Sequence, residues 1–102
     1  MQLTLSSTNV ELDDTKREYI ERRIRFIFTR FSPRINLISL DLENAVRPTG
    51  GFDSCCKILV TLISKEEVEI EVHDADIRSA VVRAVDRADH AVERRIAQQR
   101  SC

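Results

Sequence analysis

The sequence predicts an α+β fold, a two-layer sandwich in which two helices pack on one face of a four-stranded sheet, in the order β-α-β-β-β-α. Three observations predict it: two long segments repeat apolar residues at helical spacing, four short segments alternate or run apolar, and turn-forming residues fall between them. Elements with one apolar side bury that side by stacking in layers. A chain of 102 residues suits one such domain, over residues 1–102.

The first strand and the first helix lie at the start of the chain. "QLTLS" at 2–6 alternates apolar and polar residues, as a short strand does. "VELDDTKREYIERRIRFIFTRF" predicts a helix capped by Asp13 or Asp14 and ended by "SPR", because Pro33 cannot continue a helix. Its apolar residues recur at steps of four, three and four on one helical face: Ile20, Ile24, Ile27 and Phe31.

Three further strands follow. "INLISLDLEN" at 35–44 and "EEVEIEV" at 66–72 alternate cleanly, and the apolar run "CKILVTLI" at 56–63 predicts a central strand, with a turn near "SKE" before the last strand. We expect a right-handed parallel connection from the first strand to the second, then an antiparallel meander. The outward side chains predict an open, acidic sheet face: Thr4, Asp41, Glu43, Glu67, Glu69 and Glu71.

The last helix is predicted over residues 76–99, with Asp74 or Asp76 as its N-cap. A single apolar stripe runs along it and should face the sheet. The stripe consists of Ile77, Val81, Ala84, Val85, Ala88, Val92 and Ile96.

The charges are unevenly distributed, although the net charge is only −1. Residues 16–34 hold seven basic and two acidic side chains, and residues 78–100 hold six and three. No apolar run approaches the roughly 20 residues of a membrane span, and no basic-then-apolar leader opens the chain. Three cysteines, two of them adjacent, fit a reducing compartment better than a disulfide framework. We therefore expect a cytoplasmic protein without a membrane partner.

Each predicted helix carries a row of basic and aromatic residues beside its apolar stripe. Guanidinium groups bind phosphate oxygens and aromatic rings stack on unpaired bases, so such rows fit RNA. They also fit ordinary solvated helix faces, and an exposed Phe26 fits contact with a protein, so the spacing leaves these alternatives open. The rows are Tyr19, Arg23, Phe26 and Arg30 on the first helix, and Arg83, Arg87, His90 and Arg94 on the last.

The cysteines and histidines do not predict a metal site. Structural zinc sites use closely spaced ligand pairs, whereas adjacent Cys55 and Cys56 point to opposite faces of a strand. His73 is expected to end the edge strand, and Lys57 is the only notable cation near the two thiols, so a redox role is also not favoured. No phosphate-binding loop or catalytic motif is present. We expect no enzyme activity, no cofactor, no metal and no small-molecule substrate.

The element order, with "VELDDTKREYIERRI" and "DADIRSAVVRAVDRADHAVERRI", resembles the ribosome hibernation-promoting factor family, also called ribosome-associated inhibitors, over essentially the whole chain. The stretch 44–56 is similar to a loop of one subgroup of that family. The matching residues are Asn44, Arg47, Gly50, Gly51, Asp53 and Cys56.

This resemblance implies a factor that binds the small ribosomal subunit and its ribosomal RNA near the decoding region. It implies inhibition of translation in hibernation or stress by steric occlusion. Because the chain stops soon after the second helix, we expect neither the acidic tail nor the dimerisation domain of longer members. The residues that match basic or aromatic family positions are Arg17, Tyr19, Arg23, Arg47, Arg87, Arg94 and Arg95.

Two rival hypotheses remain. Phe26 stands where the family often has Lys, so the fold could serve as a protein-interaction module, or a homodimer, that uses Phe26, Tyr19 and the 44–54 loop. Alternatively, one of the thiols, including Cys102, could gate binding by its oxidation state. Insensitivity to salt would favour the first rival, and sensitivity to oxidants the second.

Overall fold

The computed structural model describes residues 1–46 and 48–100, and only the backbone of Phe52. The predicted order of elements is confirmed, with one short 3-10 helix added after the first α-helix. The elements are β1 (Gln2–Thr8), α1 (Asp14–Phe28), the 3-10 helix (Thr29–Arg34), β2 (Ile35–Val46), β3 (Phe52–Leu62), β4 (Glu67–Asp74) and α2 (Ile77–Arg100).

The four strands form one sheet in the order β1-β2-β3-β4. β1 runs parallel to β2, and the other two pairs are antiparallel, as the sequence predicts. The register aligns apolar residues across the sheet, for example Leu40 with Ile58 and Ile58 with Ile70. Since side chains alternate along a strand, this alignment gives the sheet one apolar and one polar face.

One hydrophobic core joins both helices to the apolar sheet face. α2 contributes the whole predicted stripe, buried except for the partly buried Ile77, and adds Ala80. The fully buried large side chains include Phe28, Ile24, Ile38, Leu40, Leu42, Ile58, Val60, Val85 and Val92. Within residues 1–46 and 48–100, no helix packs on the other sheet face, and the glutamates of β4 are exposed there, as predicted.

The end of α1 differs from the prediction. Asp13 caps the helix, accepting a 2.8 Å hydrogen bond from the backbone N–H of Lys16. The α-helix ends at Phe28, and the chain then tightens into the 3-10 helix that contains Pro33. With three residues per turn instead of 3.6, the tighter winding rotates the following side chains. Phe28 precedes this switch and continues the buried line of Ile20 and Ile24 at steps of four, so its ring is fully buried. The predicted core residues Ile27 and Phe31 are only partly buried.

The connection between β2 and β3 is a hairpin rather than the predicted longer loop. The two strands stay paired as far as Val46 and Phe52, so most residues of the 44–54 segment belong to the β2–β3 ladder. Ser54 donates a 2.6 Å hydrogen bond to the side-chain oxygen of Asn44, which ties the strands together. Gly50 and Gly51 have φ values of 93° and 84°, a conformation that disfavours other residues.

The remaining connection and helix agree with the sequence. Lys65, in the predicted turn before β4, has a φ of 76°. Asp76 caps α2, since its carboxylate accepts a hydrogen bond from the backbone N–H of Ser79 at 3.3 Å. Among the helices of the described ranges, none has the length and apolar character needed to cross a membrane.

Candidate functional site

The α1 row (Tyr19, Arg23, Phe26 and Arg30) approaches α2 at two members: Tyr19 borders a cleft between the helices, and Arg30 contacts acidic residues of α2. Its aromatic members are open to solvent: Tyr19 is 50% exposed and Phe26 is 82% exposed. Arg23 is half-buried, and its Nε atom is enclosed without a hydrogen-bond partner among the described residues. The row thus offers two rings and a partly enclosed guanidinium beside the groove between the helices.

Arg30 is occupied by contacts within the chain. Its Nη2 lies 3.1 Å from an Asp89 carboxylate oxygen and 3.5 Å from one of Glu93, and its guanidinium stacks over the ring of Phe31 at 4.5 Å. These pairs place the acidic residues of α2 on the side that faces α1. The two basic rows are therefore separated by acidic side chains, and Arg30 is largely neutralised.

The α2 row (Arg83, Arg87, His90 and Arg94) is exposed along its whole length. Arg83 pairs with Asp74 at 3.2 Å, and hydrogen bonds from the Asp76 backbone and then from Arg83 lower the pKa of Asp74. Arg87 and Arg94 form no ion pair or hydrogen bond with their side chains within residues 1–46 and 48–100. They are the guanidinium groups of this row best placed to bind an external anion.

Two of the predicted RNA-binding arginines hold the fold together instead. Arg17 donates a 3.3 Å hydrogen bond to the carbonyl oxygen of Leu5, which fastens α1 to β1. Arg95 donates to Glu66 at 2.9 Å, and Gln99 donates to the same carboxylate. Hydrogen bonds from Arg95 and Gln99 lower the pKa of Glu66. The predicted Arg47 lies outside the described residues, as does Cys102.

An apolar cleft of about 270 Å³ opens between the first halves of the two helices. Tyr19 borders it on α1, and Arg78 and Val82 border it on α2. Sequence reasoning missed this cleft, because its walls come from two helices whose relative position no periodicity specifies.

A second cluster lies on the polar sheet face, where β3 and β4 pair. Cys55 is opposite His73, and its Sγ lies 3.9 Å from the Nε2 of that histidine. Glu71 reaches the same Nε2 at 3.4 Å, and Asp53 meets the Nδ1 at 3.1 Å. The side-chain donor atoms of Cys55, Glu71 and His73 all lie within 4.8 Å of one another. We call these three residues the sheet-face cluster.

The charges around this cluster shift several pKa values. Hydrogen bonds with Asp53 and then Glu71 raise the pKa of His73, whereas those from His73 and Lys57 lower the pKa of Glu71. Burial, and next the charge of Glu71, raises the pKa of the Cys55 thiol. Cys56 points into the core on the other face, where burial raises its pKa to about 12. Neither thiol is therefore activated by its surroundings alone.

Sequence reasoning weighed Cys55 and His73 as zinc ligands together with Cys56 and Cys102, and rejected the set on its spacing along the chain. The signal that could have found the cluster is the hairpin register: a turn at "SKE" sets Cys55 opposite His73 and Lys57 opposite Glu71. The prediction that His73 merely ends the edge strand is therefore incomplete, since the strand continues to Asp74 and the imidazole has partners on both sides.

Residues 3–100 match the model of the sigma 54 modulation protein / S30EA ribosomal protein family. The chain belongs to this family. Its members are non-enzymatic, ribosome-associated factors, which confirms the resemblance seen in the sequence and the expectation that the chain is not an enzyme.

Two solved structures are similar to this family member along nearly all of its length. The N-terminal domain of Protein Y from Thermus thermophilus has 27% identity and a TM-score of 0.73, over 92% of this chain and 98% of that one. A ribosomal subunit interface protein from Coxiella burnetii has 13% identity and a TM-score of 0.77, over 95% and 99%, and shows likeness of fold alone. No curated protein is close enough in sequence to be matched.

Proposed function

We propose that residues 1–102 act as one domain that binds the small ribosomal subunit and contacts its ribosomal RNA near the decoding region. Occupying that region inhibits translation by steric occlusion during hibernation or stress, without any catalytic step. A protein with this role works in the cytoplasm, where ribosomes are. The family to which the chain belongs supports the ribosome as the target.

The observation that carries the RNA contact is the pair Arg87 and Arg94. Both guanidinium groups are exposed, about two helical turns apart on α2, and neither is paired within the described part of the chain. A guanidinium presents a planar set of donors that matches a phosphate group. Tyr19 and Phe26 add exposed rings on the neighbouring helix, and rings of this kind stack on unpaired bases.

The other predicted residues have different proposed roles, according to the contacts that each one makes within the chain. Arg23 and His90 remain in the proposed interface, because neither is held by an ion pair among the described residues. Arg30 and Arg83 border it, but each is already paired with a carboxylate. Arg17 and Arg95 act mainly through the fold, by fastening α1 to β1 and α2 to Glu66.

The test is co-sedimentation with ribosomes through sucrose gradients at low and moderate salt. We expect the purified protein to travel with the small subunit or the intact ribosome at low salt and to be released as salt rises, since phosphate contacts are salt-dependent. The variant with Arg87→Gln and Arg94→Gln should stay at the top of the gradient. A variant with Lys57→Gln and Lys65→Gln loses the same charge from β3 and the β3–β4 turn and should still co-sediment.

Wild-type protein that remains at the top of the gradient at low salt overturns the proposal. So does equal loss of binding in the two charge-matched variants, because it would show that net charge matters and the α2 row does not.

A second candidate function is contact with a protein through the groove side of α1. The observation in its favour is Phe26, a large ring that is 82% exposed. Val46, near the tip of the β2–β3 hairpin, is 73% exposed and offers another apolar contact. This candidate expects the protein not to bind ribosomes, and Phe26→Ser to abolish association with the protein partner or with a second copy. Salt and Arg87→Gln should have little effect on that association.

A further inference from the structure

The sheet-face cluster is built by strand pairing rather than by mobile loops. Cys55 and His73 are directly opposite each other in the β3–β4 ladder, and Glu71 is two residues before His73 on the same face. Val72, between them, points into the core at 2% exposure. Since alternation along β4 fixes which side chains face outward, the three donor atoms converge as a consequence of the fold.

The distances in the cluster are close to those of a tetrahedral metal site. Zn²⁺ binds nitrogen and oxygen at about 2.0–2.1 Å and thiolate sulfur at about 2.3 Å, so a tetrahedron has edges of about 3.3 Å between N and O and about 3.6 Å between N and S. The separations from the His73 Nε2 are 3.4 Å to the Glu71 oxygen and 3.9 Å to the Cys55 sulfur. Small side-chain rotations would bring all three onto one ion.

Outer contacts hold two of the three ligands in place. The Nδ1 of His73 lies 3.1 Å from the Asp53 carboxylate, so Nδ1–H donates to Asp53 and Nε2 faces Cys55 and Glu71. A carboxylate behind a histidine fixes its tautomer in this way in many metal sites. The other oxygen of Glu71 lies 3.4 Å from Lys57 Nζ, which steadies that carboxylate.

We propose that Cys55, Glu71 and His73 form a binding site for one Zn²⁺ ion, with the fourth position open to water. Thiolate, imidazole and carboxylate ligands together suit zinc better than the harder cations magnesium and calcium. Binding releases the thiol proton of Cys55 and any proton on the His73 Nε2, and the dication replaces them.

The excess of negative charge around the sheet-face cluster favours binding of a cation. Glu71 and Asp53 border the site directly, Glu43 is paired with Cys55 in the β2–β3 ladder, and Lys57 offsets only one of these negative charges. The site lies on the opposite side of the sheet from the helices and is independent of the proposed ribosome contact.

The test is titration of the reduced, metal-free full chain with Co²⁺ as an optical probe, followed by displacement with Zn²⁺. We expect one equivalent of cobalt to give a thiolate charge-transfer band and the visible bands of a tetrahedral complex, and zinc to remove both. Cys55→Ser should lose the charge-transfer band, and His73→Gln should weaken binding at least tenfold. Cys102→Ser is the matched thiol control and should leave the spectrum unchanged.

Asp53→Asn separates a positioning role from ligation. It should retain the cobalt spectrum with an affinity lowered about 10- to 100-fold, as for other partners behind a metal-bound histidine. Zinc should also raise the melting temperature of the wild-type protein and leave that of Cys55→Ser unchanged, which guards against a variant that simply fails to fold. The absence of a cobalt complex in the wild type, or a complex that survives Cys55→Ser or His73→Gln at full affinity, overturns the proposal.

Discussion

Arg87 and Arg94 allow a quantitative test of binding through the outer side of α2. Neither is paired in the described part of the chain, whereas Arg30 and Arg83 already lie 3.1 and 3.2 Å from carboxylates. A paired arginine exchanges one anion for another when it meets a phosphate, so it displaces few counterions. If Arg23, Arg87 and Arg94 each neutralise one phosphate, the logarithm of affinity should fall with the logarithm of salt concentration with a slope of about −2 to −3.

Replacing Arg87 and Arg94 by glutamine should bring that slope to about −1. A hydrogen bond to a charged group contributes about 1.5 kcal/mol or more, so losing two should weaken binding about 100-fold at low salt. The control with Lys57→Gln and Lys65→Gln removes equal charge from β3 and the β3–β4 turn. It should keep the wild-type slope and an affinity within about twofold.

The assay is fluorescence anisotropy of labelled protein titrated with small ribosomal subunits at several KCl concentrations and constant magnesium. Parallel circular-dichroism melts confirm that each variant is folded. A wild-type slope steeper than about −4 would mean that Arg30 and Arg83 also give up their carboxylates. An unchanged slope in the double arginine variant would refute the reasoning, because the unpaired guanidinium groups would then carry none of the binding.

Three further predictions concern stability, measured by urea denaturation. Phe28→Ala should destabilise the fold by about 3–5 kcal/mol, because its ring is fully buried, while Phe26→Ala should change the free energy of unfolding by less than about 0.5 kcal/mol. Asp13→Ala should cost about 1 kcal/mol by removing the α1 cap. Hydrogen bonds lower the pKa of Glu66 from 4.5 in the folded state, so its carboxylate stabilises the fold above pH 4.5 and this contribution is lost on acidification. Glu66→Gln should therefore have a lower free energy of unfolding than wild type at neutral pH, and the difference between the two should shrink below pH 4.5.

The fold could be predicted because apolar residues recur along the sequence with the period of a strand or of a helix. The strands 35–44 and 66–72 alternate, and the α2 stripe repeats at helical spacing over its whole length, so each shows which side it buries. The buried ring of α1 escaped prediction because steps of four, three and four through Ile27 and steps of four through Phe28 both fit one helical face, and packing selects the second. The β2–β3 hairpin was underestimated because its end, including the exposed Val46, is held by backbone pairing rather than burial, which a sequence pattern does not reveal.

The candidate site was predictable only in part, for a related reason. Helical spacing correctly aligned the α2 row and its exposure. It could not say that Asp89 and Glu93 would meet Arg30, since that depends on how α1 and α2 lie side by side. The sheet-face cluster depends likewise on register between strands, which a single-strand pattern does not contain.

The glutamates of β4 have a consequence for the solution behaviour of the protein. β4 closes one end of the described sheet, so its outer row of backbone groups has no neighbouring strand there. Glu67, Glu69 and Glu71 set three negative charges along that strand, and a second copy brought edge to edge would align its own charges against them. Such charges discourage edge-to-edge pairing of strands between copies. We therefore expect self-association through this edge to be seen first on acidification.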